Sequence, residues 1–307
     1  MYKCQPHDVV VVGGGPAGLS AALVLGRARR RVAVIDTGSP RNAPAAHMHG
    51  FLSRDGMPPA ELLAAGRAEV TGYDVQIIED RVKAIEFGFQ AHLADGQTLG
   101  ARRILVTTGV GDDLPDIPGV RERWGRDLLH CPYCHGWEVR DQTLGVLGTN
   151  PGAVPHAQLV RQWSDDVIYF AHTHHPTPTE IEALDVRGIR VVHGEITRLV
   201  VEGDRLTGVE LDGGEVVARA AVFIRPVNIP HSDGLLAGLG CELDPAGFPI
   251  VDRTGRTSIA GVWAAGNVVD PRAQVIMSAG AGSAAAIAIN ADLVEEDIAL
   301  AVERHRR

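Results

Sequence analysis

Three observations predict an α/β fold made of two doubly wound, three-layer units of the dinucleotide-binding (Rossmann) type. An apolar run, Asp8 to Val12, leads into Gly13-Gly14-Gly15-Pro16-Ala17-Gly18 and an Ala/Leu-rich helical stretch to about Arg29. A second strand, Arg31 to Ile35, ends on Asp36, 18 residues past Gly18. The same order of elements returns 135 residues downstream of Gly13, beginning at Gly148.

Each part of the first unit has a physical cause. The β-branched run is that of a strand buried on both faces in a parallel sheet. Gly13 permits the tight turn, Gly15 allows a pyrophosphate to reach the backbone, and Gly18 allows helix and strand to pack closely. Pro16 and Ala17 open the helix, whose free N–H groups carry about half a positive charge toward a phosphate. Asp36 is placed to accept hydrogen bonds from a ribose. Dinucleotide binding is the expectation; a plain glycine turn with Asp36 as a surface charge is the alternative.

The second unit comprises a strand from Thr143 to Leu147, the loop Gly148-Thr149-Asn150-Pro151-Gly152-Ala153, a helix from Val154 to Trp163 and a strand from Val167 to Phe170. It departs from the pattern where binding matters. Asn150 stands at the second glycine, and Ala171-His172-Thr173-His174-His175 supplies neither a carboxylate for a 2′-OH nor an arginine for a 2′-phosphate. Four short strands follow, Ile189 to His193, Leu206 to Leu211, Val216 to Ala218 and Ala220 to Ile224, with Asp212-Gly213-Gly214 as a hairpin turn. A turn, strand and glycine loop then run from Thr257 to Asn267. A small-residue helix spans about Val275 to Leu293, and a charged helix end begins at Glu295.

Composition narrows the function classes. With 307 residues two domains are expected, and Lys+Arg 29 against Asp+Glu 38 gives a net charge of -9, which repels nucleic acid and anionic lipid. No stretch approaches about 18 unbroken apolar residues, so no membrane span is expected. The start of the chain lacks the features of a secretory signal, and a cytoplasmic location is expected. Four cysteines are too few for a disulfide framework. Cys4 and Cys241 are read as ordinary small side chains.

Cys131-Pro132-Tyr133-Cys134 is a C-x-x-C at the start of a predicted helix, where the dipole favours a thiolate. No second C-x-x-C or C-x-x-H exists to complete a zinc site, so no metal is expected and redox work is. His135, with a reference pKa of about 6.5, is able to take a proton from an attacking thiol. Glu138, three residues on, is expected one helical turn away and able to orient the imidazole. A helix-capping or solvent-facing histidine and an acid that merely complements the dipole are the alternatives. His47 and His49 are read as a surface loop, and His172, His174 and His175 as a polar loop.

These features together resemble the low-molecular-weight thioredoxin reductases and their flavoprotein relatives over essentially the whole chain. The resemblance rests on Gly13 to Gly18, the strand Ile104 to Gly109, Trp124-Gly125-Arg126 before the C-P-Y-C, Ala264-Ala265-Gly266-Asn267, and Gln274 to Gly280. It implies a discontinuous FAD domain, residues 1–115 and 245–307, with a central NAD(P)-type domain, 116–244, inserted into it and carrying the C-x-x-C. Val82, Thr108, Gly109, Gly266, Asn267, Gln274 and Val275 are implied as FAD contacts beside the first glycine loop. Asn267 replaces a usual aspartate but can still accept and donate. The helix from Val275 would turn its N–H groups toward the flavin N1 and C2 carbonyl. Cys134 is implied to lie next to the flavin and Cys131 to exchange with substrate. A homodimer is implied as well.

Within that family C-P-Y-C-H-G is similar to the branch containing the gliotoxin and holomycin dithiol oxidases. Thioredoxin reductases proper usually carry Asp at His135 and an arginine pair at His172 and Thr173. Losing two charge-assisted hydrogen bonds costs roughly 3 to 6 kcal/mol at about 1.5 to 3 each, or two to four decades of affinity. FAD is therefore expected and NADPH is doubtful. The leading expectation is oxidation of a small-molecule or peptide dithiol with O2 as acceptor. The alternatives are a disulfide reductase fed by NADPH or ferredoxin, with a thioredoxin-like protein as partner, and a flavin-bearing redox sensor.

Overall fold

The computed structural model describes residues 7–231 and 234–307; Cys4 lies outside them. The chain opens with β1 (His7–Val12), α1 (Pro16–Arg27), β2 (Val32–Asp36), α2 (Pro59–Thr71) and β3 (Gln76–Glu79). Strands β4 (Val82–Glu86), β5 (Gln90–Leu93), β6 (Thr98–Val106) and β7 (Val110–Asp113) follow, then the one-turn helix α3 (Val120–Arg123), β8 (Leu128–Leu129) and the one-turn helix α4 (Pro132–His135). Next come β9 (Leu144–Gly148), α5 (Ala153–Val160), β10 (Val167–Ala171), α6 (Pro178–Asp185) and β11 (Arg190–His193). β12 (Ile196–Glu202), β13 (Arg205–Leu211), β14 (Val216–Ala218), β15 (Ala221–Ile224) and β16 (Val227–Pro230) are succeeded by α7 (Leu235–Gly238), β17 (Val262–Ala264), a 3-10 turn at Gly266–Val268 and α8 (Val275–Arg306).

Strands from both ends of the described chain share one mixed sheet, ordered β3-β2-β1-β6-β5-β4 with β17 on β6. β1 is parallel to β2 and β6, Val10 facing Ala33 on one side and Ile104 on the other. Val9, Val10 and Val11 are wholly buried, as a strand covered on both faces requires. The second sheet, β11-β10-β9-β15-β8, is parallel throughout. A three-stranded antiparallel sheet, β12-β13-β14, packs beside it through Ile196, Leu199 and Val209. The chain passes between the two large sheets at β7 and β16, which pair antiparallel with Asp112 opposite Asn228.

Several boundaries differ from the sequence reading. α1 stops at Arg27, because Arg29 adopts a left-handed φ of 62° and the Arg30 N–H returns to Leu25 O at 3.0 Å. α5 stops at Val160, where Gln162 and Trp163 N–H groups bond three residues back and tighten the turn. The strand expected to reach Gly109 ends at Val106, leaving Thr108 and Gly109 in a loop. α4 ends at His135, so Glu138 lies in the turn beyond it and not on the same helix.

α8 runs unbroken for 32 residues. Its first part is long and apolar enough to cross a membrane by length and composition. In this fold its small stripe, Ser278, Gly282, Ala285, Ala286, Ile289 and Leu293, is buried, and the helix packs on α1. The second half is held by arginines: Arg30 Nη1 lies 2.7 Å from Asp297 and Arg103 Nε 2.6 Å from Asp292.

The approach of α8 to α1 has no slack. A Cβ on Gly282 would stand 1.9 Å from Ala17 O. Gly282→Ala gains about 1 kcal/mol of helix propensity, yet overpacking here costs about 1–3 kcal/mol or more. The variant is expected to unfold a few degrees below the parent in calorimetry; an unchanged or raised midpoint would contradict this packing.

Candidate functional site

The first glycine loop is built by close backbone approach. Gly13 takes φ +107°, and a Cβ on Gly18 would meet Gly13 O at 1.9 Å. Thr107 Oγ1 donates to Gly13 O at 2.8 Å and to Val12 O at 3.0 Å, fixing the loop on the end of β6. At Gly15 the situation reverses: nothing lies within 4 Å of a Cβ there. Gly15 is also the N-cap of α1 and no side chain caps the helix, so the first-turn N–H groups face open space. The Gly14 N–H donates to Asp36 Oδ1 at 3.0 Å, and the Arg67 guanidinium holds the other carboxylate oxygen.

That open space is one end of a cavity of about 860 Å³, within the range of cofactor sites. Gly13, Gly15, Pro16, Ala17, Asp36, Val82, Thr108, Gly109, Gly266, Asn267, Gln274 and Val275 all line it, and so do Cys131, Cys134 and His135. Of the residues singled out from sequence, Gly18 and Glu138 lie outside the lining. Gln274 is the N-cap of α8 with no side-chain cap, so a second helix start faces the same cavity. Asn267 Nδ2 donates to Asp270 O at 3.0 Å and Ala273 O at 2.9 Å. Its donors are thereby taken up, and toward a ligand it is an acceptor through Oδ1, narrower than its sequence suggests.

Cys131 and Cys134 form a disulfide, with Cα atoms 5.2 Å apart. Cys131 is the N-cap and Pro132 the first residue of α4. A four-residue helix contributes little macrodipole, so the expected dipole assistance to a thiolate is weak. His135 is the nearer aid. Burial lowers its pKa, the Glu138 carboxylate opposes that shift, and the His49 ring adds to it. A lowered value leaves the imidazole neutral near pH 7, the form that accepts a proton. His130 and His156, ring centroids 6.2 Å apart, also line the cavity. Burial is the main cause that brings each to about 4, so both are neutral.

Other residues at the site carried no usable sequence signal. Arg41 forms a two-pronged pair with Asp112, Nε at 2.8 Å and Nη2 at 2.6 Å, and Asn228 Nδ2 donates to Asp112 Oδ1 at 2.8 Å. This ties the loop after β2 to both crossing strands. His49, read as surface, lies 3.5 Å through Nε2 from Glu138 Oε1, and it lines the cavity with His47. His130 was within reach of the sequence, since it precedes Cys131 and makes the motif symmetrical, H-C-x-x-C-H.

The second glycine loop is closed by side chains. Asn150 Oδ1 accepts from the Gly152 N–H at 3.0 Å, and Nδ2 donates to Arg225 O at 2.8 Å. The Arg225 side chain lies 2.8 Å from where a Gly152 Cβ would stand. Beyond β10, Thr173 Oγ1 donates to Thr149 O and His172 Nδ1 accepts from the Ile196 N–H, both folded back onto protein. The next helix start is a capping box of Thr177 and Glu180. Cys241 is buried against Thr257 Oγ1, 3.5 Å away, and burial raises its thiol pKa.

The model of the pyridine nucleotide-disulphide oxidoreductase family matches residues 7–286. The chain belongs to this family. Its thioredoxin reductase-like character is seen in thioredoxin reductase sirT of Leptosphaeria maculans, 30% identical over 95% of this chain and 96% of the relative. Thioredoxin reductase tcpT of Claviceps purpurea is 34% identical over 85% of this chain and 86% of its own length. Among solved structures, that of HlmI is 58% identical with a TM-score of 0.96, covering 98% of this chain and 97% of the other. A putative thioredoxin reductase TrxB from Bacillus anthracis is 36% identical with a TM-score of 0.89, covering 95% and 99%.

Members of this oxidoreductase family are FAD-binding flavoproteins, and the residues present fit that cofactor. The space at Gly15 is the deciding feature. Gly15 has φ -76° and ψ -173°, which any residue adopts, so Gly15→Val is expected to fold normally while its side chain fills the room a pyrophosphate needs. The measurement is thermal stability of the apoprotein against flavin absorbance after gel filtration. Full FAD retention by a folded variant would contradict this placement.

Proposed function

We propose that the protein oxidises a small-molecule or peptide dithiol to its disulfide, with O2 as the terminal acceptor. The observation that carries this reading is the second glycine loop, filled by Asn150 and Arg225, beside a first glycine loop with open space in front of it. Nicotinamide coenzyme is then neither electron source nor sink. In this assignment Gly13, Gly15, Pro16, Ala17 and Gly18 with Asp36 hold the adenine-side half of FAD. Val82, Thr108, Gly109, Gly266, Asn267, Gln274 and Val275 hold the rest. Residues 1–115 with 245–307 form the FAD domain and 116–244 the central one, in a homodimer that works in the cytoplasm.

The chemistry of the chain's own residues follows from thiol exchange. A substrate thiol gives its proton to neutral His135, and the thiolate attacks Cys131 Sγ, so a mixed disulfide forms and Cys134 leaves as thiolate. The second substrate thiol, its proton passing to the departing Cys131, attacks the substrate sulfur of the mixed disulfide and releases Cys131 as a thiol. The substrate has lost two electrons and two protons, and the cysteine pair has gained the two electrons. Bound FAD would supply a two-electron acceptor for the cysteine dithiol, with O2 as the final acceptor and hydrogen peroxide as the product. Glu138 acts on His135 across space.

A reductase reading is favoured by the names of relatives such as sirT and tcpT. Two measurements separate the readings. Enzyme, FAD and dithiothreitol in air without NADPH are expected to consume oxygen, and Cys131→Ser or Cys134→Ser to abolish the uptake. Under anaerobic conditions the dithiol is expected to bleach the flavin while micromolar NADPH does not. Rapid bleaching by NADPH with no dithiol-driven oxygen uptake would establish the reductase.

A further inference from the structure

The loop between β2 and α2 carries a histidine across to the segment that follows the disulfide. His49 Nε2 lies 3.5 Å from Glu138 Oε1, and His49 Nδ1 lies 3.3 Å from Asp55 Oδ2. The imidazole is thus held between two carboxylates, one from its own loop and one from beyond α4. Its side chain is 21% exposed, against 67% for Asp55 and 43% for Glu138, so it is the most enclosed of the three. Asp55 is itself fixed, accepting from the Gly50 N–H at 2.8 Å. The loop is fastened at two further points. Arg41 pairs with Asp112, and Pro44 packs against Gly125, where a Cβ would come within 2.8 Å.

We infer that His49 is a positioning residue for the thiol chemistry: backed by Asp55, it offsets the charge of the Glu138 carboxylate and so restrains that group's pull on the proton His135 accepts. It touches neither sulfur. The inference rests on the assignment of His135 as proton acceptor in the proposed oxidase. Its consequence is conditional assembly. His49 comes from the segment before α2 and Glu138 from the segment after the disulfide, so the base is tuned only while the disulfide faces the shared cavity.

The sign of each contribution makes the idea testable. The charged groups facing His135 are Glu138 from its own segment, His49 with Asp55 behind it, and His130 ahead of the disulfide. Glu138 raises the His135 pKa and His49 lowers it. Removing the carboxylate therefore moves the His135 titration down, and removing the imidazole moves it up.

The experiment is anaerobic stopped-flow reduction of the FAD-bound protein by dithiothreitol across pH, for the parent, Glu138→Gln and His49→Gln. The acid limb of the rate profile is expected at lower pH in Glu138→Gln and at higher pH in His49→Gln. Each variant should lose about tenfold or less in maximal rate, below the ~100-fold of removing a base outright, with FAD content and melting temperature unchanged. Shifts in the same direction, no shift, or loss of FAD in His49→Gln would overturn the inference. If dithiothreitol fails to reduce the parent flavin, the oxidase reading falls separately. The same limb is then read from opening of the Cys131–Cys134 disulfide by dithiothreitol, scored by alkylation of the freed thiols.

Discussion

The constraint on which the site depends is close backbone packing at three glycines around the start of α1. Gly18 lies against Gly13 O, Gly282 against Ala17 O, and Gly266 against the Ala17 methyl group, each at a distance that no Cβ would tolerate. These approaches bring the start of α1, the 3-10 turn and the first turns of α8 within one backbone thickness of each other. Two helix N-termini, at Gly15 and Gln274, consequently open onto one cavity without side-chain caps. Uncapped amides left facing water would be adequately solvated; facing a cavity of this size they favour an anionic or carbonyl-bearing ligand. The high glycine content, 36 of 307 residues, has its physical explanation partly here.

Much of this was legible because it is local. The strand, glycine loop, helix, strand and acid of the first unit lie within some thirty residues, and each residue type has a steric or electrostatic duty that spacing reveals. The C-x-x-C was equally plain. The damage at Asn150 could be read too, though its form could not: the sequence suggests an intruding side chain, while the structure has that side chain bonded to Gly152 and Arg225, closing the loop from within. What stayed hidden is long-range. Arg41 and Asp112 are separated by 71 residues and Arg103 and Asp292 by 189, and no periodicity joins them. His49 was read as surface because a histidine in a polar loop has no local signature of a partner 89 residues away at Glu138. The error at Glu138 came from continuing a helix that ends after one turn.

The buried histidines illustrate how burial and charge divide labour around the disulfide. His130 and His156 are pushed to about 4, chiefly by desolvation, and cations nearby add to the shift. Neither would be protonated by a thiol near neutral pH. His135 is lowered by the same cause, but a carboxylate opposes the shift. Asp112 opposes the shift at His130 in the same way, yet His130 still sits at about 4. What sets His135 apart is its place beside Cys134, at the disulfide itself.

The tie between the two sheets also shapes the cavity. Here the crossing strands β7 and β16 are tied to the loop after β2 through Asp112, whose side chain is 8% exposed and which accepts from both Arg41 and Asn228. Removing Arg41 would cost about 3 kcal/mol or more, because it leaves an uncompensated buried charge at Asp112. Pro44 against Gly125 and His49 against Glu138 fasten the same loop to the segments before and after the disulfide. One loop thus holds the disulfide segment at the cavity that the first glycine loop and the start of α8 open onto, while the second glycine loop is closed from within by Asn150 and Arg225.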